Sequence, residues 1–303
     1  MVKDIKIMFV TDLHGSERTY RKALNASKLY GVDYLIIGGD ITAKKFLFVE
    51  RENGKYLLDG KETKLEEVSE EASIIGAYMV TGDRNELEVF KSEEAFQKIY
   101  REKVETQLTK WINLMDEKLK DSKIRVFWSI GNDDPQFVDE ILKSKGIETE
   151  GILEMDGTSN SLYLLSYGYV NPTPFNSYRE VPDSDIYIKG RDMLSQVDPS
   201  RVILNFHAPP YGTKLDLAII DGERRHVGSK SVYDLEDRFS PLLGLHGHIH
   251  ESPATDKVGK TIVVNPGSQA YEGILRFGLI VISREIKGIV MKYKVKASTI
   301  LTG

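Results

Sequence analysis

The sequence predicts an α/β fold whose chemistry sits at strand ends. Three observations point there. Short β-branched runs alternate with stretches of helical periodicity along most of the 303 residues. Several of those runs stop at a loop opening with Asp, Asn or His. Three of the six histidines fall within five residues, in His246-Gly247-His248-Ile249-His250.

Composition sets the limits. At 41% hydrophobic and 29% charged residues, the chain fits a soluble globular protein, read as one domain over 1–303 with an inserted segment. No apolar run approaches the ~20 residues that cross a bilayer. The strand-like Ile5–Val10 leaves no room for a signal peptide, so a cytoplasmic protein is expected. Cysteine is absent, which removes disulfides, zinc–thiolate sites and thiol nucleophiles and leaves His, Asp and Asn as metal ligands. A net charge of -5 and a pI near 5.8 argue against a general nucleic-acid-binding surface.

Ile5–Val10 alternates and runs into Thr11-Asp12-Leu13-His14-Gly15-Ser16. Ser16 suits the N-cap of a helix over Glu17–Leu29, with Glu17 favouring its dipole. Asp12 and His14 thus lie on a strand-to-helix loop, the edge of an open α/β sheet where ligands bind. A second apolar strand, 32–37, closes at Gly38-Gly39-Asp40. Between 42 and 121 the pattern changes. Residues 46–49 and 56–58 read as strands around an Asn53-Gly54 hairpin, followed by a helix over 65–77 and a strand at 78–80. A long helix over 92–120 carries the stripe Phe96, Tyr100, Val104, Leu108, Trp111 and Met115. This is an inserted α+β, cap-like segment, a hairpin plus long helix. It is expected near the active-site edge because its two ends emerge beside Asp40 and Asn132.

The strand 124–130 ends in Gly131-Asn132-Asp133-Asp134-Pro135. Pro135 fits the first turn of a helix reaching residue 145, and Asp133 or Asp134 can cap it. Strands at 147–153 and 161–167 precede a loop over 171–185 rich in Pro, Asn and Ser. The strand 201–206 stops at His207, where Pro209 and Pro210 forbid its continuation. Residues 211–228, with Arg224, Arg225 and His226, show no clean periodicity. After a helix over 229–239, the apolar run 240–245 delivers the histidine cluster. If that segment is extended, His248 and His250 face one side. The strand 260–264 ends in Asn265-Pro266-Gly267-Ser268, and a hairpin of 275–283 and 288–296 follows.

Asp12 and His14, Asp40, Asn132, His207, and His248 with His250 therefore terminate five strands. Seven hard to borderline ligands exceed what one tetrahedral ion needs. Two divalent ions roughly 3.5–4 Å apart, bridged by one carboxylate, account for all seven. Such a pair suits phosphoester hydrolysis: it holds phosphoryl oxygens, lowers the pKa of water toward ~7 and offsets the charge of an in-line displacement.

The order Asp12-x-His14, Gly39-Asp40, Gly131-Asn132, His207 and Gly247-His248-x-His250 resembles that of the calcineurin-like metallophosphoesterase superfamily, over nearly the whole chain outside the insertion. The resemblance implies a four-layered α/β sandwich of two mixed β-sheets flanked by helices, with metals at its loop edge. It assigns Asp12, His14, Asp40 and His250 to one ion, and Asp40 as bridge, Asn132, His207 and His248 to the other. Mn is the first expectation, with Fe, Zn, Ni or Co as alternatives. One position departs. The third motif of the family usually reads Gly-Asn-His, whose His contacts the phosphate and assists the leaving group, and here Asp133 stands there. A carboxylate repels a phosphate dianion where an imidazolium attracts it. The expectation is a phosphodiesterase acting on a small phosphoester substrate, with Asp133 and Asp40 as catalytic residues and Asn132, Arg225 and His226 as substrate contacts. A phosphomonoesterase, and a weakly active binding or scaffold protein of the same fold, are the alternatives. Nucleic acid is disfavoured as a partner, and the hairpin edges of the insertion could pair two copies into a homo-oligomer.

Overall fold

Alternation within the first strand sets the layers. In β1 (Ile5–Val10), Ile5, Ile7 and Phe9 join one buried cluster with Ile36, Leu164, Ile203, Leu245 and Ile280. Met8 and Val10 join another with Tyr20, Leu24, Leu108 and Trp128. A strand buried on both faces belongs to the interior of a layered α/β structure. A computed structural model, which describes residues 3–158, 160–287 and 290–303, gives the arrangement.

After β1 come α1 (Glu17–Leu29) and β2 (Tyr34–Gly38). The inserted stretch carries β3 (Lys45–Glu52), β4 (Lys55–Leu58), β5 (Lys61–Thr63), α2 (Leu65–Ile75), β6 (Ala77–Gly82), α3 (Arg84–Glu88) and the long α4 (Glu93–Leu119). The chain returns through β7 (Arg125–Ser129), α5 (Phe137–Ser144), β8 (Gly151–Glu154), β9 (Tyr163–Tyr167), α6 (Asp183–Leu194) and β10 (Val202–Phe206). Then follow β11 (Leu217–Ile220), β12 (Glu223–His226), α7 (Lys230–Phe239), β13 (Leu243–Leu245), β14 (Ala254–Val258), β15 (Thr261–Asn265), β16 (Arg276–Lys287) and β17 (Val290–Thr302).

Two mixed sheets form the interior. One runs β17-β16-β1-β2-β7, with β1, β2 and β7 parallel and β16 antiparallel to both β1 and β17. The other runs β14-β15-β13-β10-β9-β8, with four parallel central strands and antiparallel edges. Their facing residues make the cluster around Phe9, Ile36, Ile203 and Leu245. On the outer faces, α1, α4 and α5 cover the first sheet, and α6 and α7 cover the second. This is the four-layered sandwich that the resemblance implies. The insertion adds its own sheet, β5-β4-β3-β6.

Several local expectations change. The strand expected from 147 begins only at Gly151, because Ile147 turns back to donate to the Leu142 carbonyl at the end of α5. Residues 211–228 hold a hairpin, β11–β12, whose exposed faces give alternation nothing to record; its turn is Asp221-Gly222, both at positive φ. Neither Asp133 nor Asp134 caps a helix: α5 starts after Gln136 without a side-chain cap, and Asp134 is engaged elsewhere. The closing hairpin extends to a Lys287–Val290 pairing, while Gly288 lies outside the described residues.

Ser16 does cap α1, accepting from the Thr19 N–H at 3.3 Å, and its hydroxyl donates to the Ile74 carbonyl of the insertion at 2.7 Å. Removing both contacts in Ser16→Ala is expected to cost about 1–2 kcal/mol. Urea unfolding checks this, and an unchanged midpoint would show that the cap carries no stability.

Candidate metal centre

The loops at the ends of β1, β2, β7, β10 and β13 are tied to one another by hydrogen bonds. Asp12 N–H donates to the Gly39 carbonyl at 3.0 Å, His14 N–H to that of Asp40 at 2.8 Å, and Gly247 N–H to that of His207 at 3.1 Å. Side chains complete the knot. The Asp12 carboxylate accepts from His248 N–H at 3.1 Å, Asp40 Oδ1 accepts from Asp133 N–H at 2.8 Å, and Ser268 Oγ donates to the Asp12 carbonyl at 2.7 Å. Asp12, His14, Asp40 and His248 all hold positive φ, at 55°, 42°, 49° and 68°. Each such residue costs about 1–3 kcal/mol and persists only where its surroundings over-determine it. His248 is therefore not extended. The expected parity with His250 is replaced by a left-handed turn that aims the His248 N–H at Asp12.

Asp12, His14, Asp40 and His250 each offer a donor atom, all within 4.8 Å of one another. His14 Nε2 lies 3.0 Å from His250 Nε2 and 3.8 Å from Asp40 Oδ2, and His250 Nε2 lies 3.3 Å from Asp12 Oδ1. His207 joins them, with Nε2 at 3.3 Å from Asp40 Oδ2 and 3.6 Å from Asp12 Oδ1. Its Nδ1 lies 3.1 Å from the Gly38 carbonyl, so Nδ1–H donates there and Nε2 is left for the site. His248 packs edge-on against His207 at 5.7 Å between centroids. Asn132 gives its amide NH₂ to Ser177 Oγ at 2.9 Å, leaving Oδ1 buried without a hydrogen bond, as is His207 Nε2.

These features fit a divalent cation. Unsatisfied buried acceptors call for a partner, and the donors are imidazole nitrogens and carboxylate or amide oxygens. Two glycines make the room. A Cβ on Gly131 would stand 2.2 Å from Asp40 Oδ1, and one on Gly247 would stand 2.6 Å from Asp12 Oδ2. Gly247→Ala is accordingly expected to cost about 1–3 kcal/mol by overpacking and to weaken divalent-cation binding by roughly 10–100-fold through displacement of Asp12. Calorimetric titration alongside thermal melts tests this, and wild-type metal affinity in the variant would refute the steric role.

The charges respond to burial and to one another. Burial pushes the Asp40 carboxyl up, with Asp133 and Asp12 adding to the effect and His207 opposing it. Asp12 goes the other way: burial would raise it, but the hydrogen bond from His250 and the fields of His207, His250 and His14 hold it low. Burial brings His14 down to about 3 and His248 down to about 4. His207 rises to about 10 because Asp40 and Asp12 outweigh its burial. His207 and Asp40 thus both hold a proton more tightly than usual, and a cation bound between them would compete with those protons. Since His207 and Asp40 both titrate above their ordinary values, divalent-cation affinity should increase as pH rises through about 7 toward about 10, with net proton release. Calorimetry in buffers of different ionisation enthalpy measures that release, and a pH-independent affinity would contradict the charge assignment.

The remaining expected site residues are placed as follows. Asp133 pairs through Oδ2 with Lys44 Nζ. Arg225 pairs with Glu223, and His226 with the buried Asp216, on the β11–β12 hairpin. His246 is wholly buried and bonded to Glu236, so it joins α7 to the second sheet. Sequence reasoning missed Lys44, and it missed Tyr271, which stacks on His14 at 5.1 Å. It also missed Asn265, whose amide reaches the Ile249 carbonyl at 3.0 Å. Lys44 stands four residues past Asp40 and Asn265 ends a strand, so both carried the positional signal used for the ligands.

The calcineurin-like phosphoesterase family profile matches residues 5–252. The chain belongs to the calcineurin-like phosphoesterase family. The uncharacterised protein MJ1162 of Methanocaldococcus jannaschii is 37% identical over 113 residues, 37% of this chain and 50% of that protein, so the match spans about half the length of that relative. Among solved structures, TT1561 of Thermus thermophilus superposes over 91% of this chain and 94% of its own, with a TM-score of 0.53 at 13% identity. Another covers 97% and 100% with a TM-score of 0.61 at 18% identity. These likenesses establish the fold. Among the described residues, no helix is long and apolar enough to cross a membrane.

Proposed function

We propose that the protein is a phosphoesterase dependent on two divalent metal ions, with Mn²⁺ preferred, acting on small phosphodiesters. The observation that carries this reading is the cluster of Asp12, His14, Asp40 and His250, with His207 Nε2 against Asp40 and a second unpartnered acceptor on Asn132. Asp12, His14, Asp40 and His250 would hold one ion. Asp40 as bridge, Asn132, His207 and His248 would hold the other. Bound there, the cations supply Lewis-acid polarisation of the phosphoryl group and acidification of a water.

The chain's own groups do the rest. Asp133 N–H and His248 N–H fix Asp40 and Asp12, so the carboxylates need no reorganisation during the reaction. Lys44 offsets the charge of Asp133. The pair is neutral where an imidazolium would bring a positive charge, and a diester monoanion loses less from that change than a monoester dianion. The insertion borders the site in this reading: Lys44 begins it, and Gly76 packs so closely that a Cβ there would stand 1.8 Å from the His14 carbonyl oxygen.

Metal-stripped protein reloaded with Mn²⁺ is expected to cleave bis(p-nitrophenyl) phosphate with a higher kcat/KM than p-nitrophenyl phosphate. Asp40→Asn should reduce both by roughly 10²-fold or more. A dominant monoesterase would keep the metal centre and overturn the diester preference. Turnover surviving in Asp40→Asn would overturn the assignment of the bridge.

A further inference from the structure

The segment Ile41-Thr42-Ala43, where the chain passes from Asp40 into the insertion, is gripped from two sides. From within, the buried Asp134 carboxylate accepts from Ile41 N–H at 3.0 Å, Thr42 N–H at 2.9 Å and Thr42 Oγ1 at 2.8 Å, and also from Gly131 N–H at 2.9 Å. From the insertion, Gln107 Nε2 donates to the Ile41 carbonyl and the Tyr100 hydroxyl to the Ala43 carbonyl, both at 3.1 Å. The residue leaving this clamp is Lys44, whose side chain is 42% exposed while its ammonium reaches Asp133. Asp133 is fixed in turn through its own N–H to Asp40. An exposed lysine is normally mobile, yet this one is placed by its backbone and by a carboxylate one hydrogen bond from the bridging ligand.

We propose that Lys44 binds a phosphoryl oxygen of the substrate, with Asp133 as the positioning residue that aims its ammonium. A lysine ammonium has three donors. Asp133 Oδ2 takes one, and two remain for an anion over the Asp40 side of the centre. The insertion thereby contributes a specificity-determining cation to a site otherwise built from loops of the two main sheets. Lys45, the next residue, has its ammonium 4.7 Å from the Tyr271 ring centroid and carries the same charge without touching Asp133. The inference rests on the metal-centre reading above and deepens it.

The test is inorganic phosphate binding to the Mn²⁺-loaded full chain by calorimetry at about pH 7.5, with Mn²⁺ affinity measured separately. Lys44→Met is expected to weaken phosphate binding by about tenfold or more, the weight of one hydrogen bond between charged partners, with Mn²⁺ affinity intact. Asp133→Asn, which keeps an oxygen acceptor for the ammonium but loses the charge, should leave phosphate binding equal or tighter, whereas Asp133→Ala, which removes that acceptor, should weaken it. Lys44→Met combined with Asp133→Asn should stay weak, and Lys45→Met should stay close to wild type. The proposal is overturned if Lys44→Met binds phosphate normally, if the double variant recovers wild-type affinity, if Lys45→Met loses as much, or if the wild type binds no phosphate. Lys44-dependent phosphate binding without ester turnover would sink the esterase reading and leave this one standing. Turnover indifferent to Lys44 would do the reverse.

Discussion

Two carboxylates that must lie together out of water set the terms for the rest of this structure. Asp12 and Asp40 are 0% and 1% exposed, and anions so placed are tolerable only when paired and hydrogen-bonded. Every nearby feature serves that need. Backbone N–H groups of His248 and Asp133 point at the two side chains, and the imidazoles of His14, His207 and His250 surround them. The His207 imidazole faces both carboxylates, with Nε2 3.3 Å from Asp40 and 3.6 Å from Asp12. A divalent cation would answer both carboxylates and the unpartnered Asn132 oxygen together. The same groups that are costly to bury thus suit a cation.

Bringing those groups together needs a frame that does not yield. Four candidate ligands sit in left-handed backbone, a cost the loops meet only because they start from strands locked on both faces. The inter-sheet cluster around Phe9, Ile36, Ile203 and Leu245 and the helix-covered outer faces hold the ends of β1, β2, β10 and β13 in register. Asp134 and Arg179 extend that rigidity outward. Asp134 joins the loops after β2 and β7. Arg179, 1% exposed, donates to the carbonyls of Asp134 and Pro135 at 3.0 and 3.1 Å and pairs with Asp139. A catalytic edge made of loops can then be nearly as fixed as the sheets beneath it.

The sequence revealed the parts of this arrangement that leave a local mark. The strand runs ending in Asp, Asn or His were visible because two-sided burial writes a continuous apolar string followed by an abrupt polar residue, as in 34–40 and 243–248. The cap at Ser16 was visible for the same local reason. Asp134 looked like a helix cap because nothing near it in sequence shows that Ile41 and Thr42, far back along the chain, present N–H groups to it. The parity argument for His248 and His250 failed since a chain making a left-handed turn has no period of two. Helix α6 escaped because its sequence carries only a weak apolar stripe, and part of its anchoring comes from Asp183 binding Ser231 at the start of α7.

Asp133 shows how a local inference can miss the physics of a site. Taken alone, a carboxylate beside a phosphate-binding centre is a repulsive charge. In the folded chain it never acts alone, because Lys44 meets it from the insertion. The pair differs from an imidazolium in two respects that do not cancel. Its net charge is zero, which lowers the attraction for any phosphate and does so most for the dianion. Its charges are separated in space, with the Lys44 side chain the more exposed and Asp133, at 17% exposure, the deeper. A site without net positive charge at this position can still expose a cation, provided the counter-charge is set deeper.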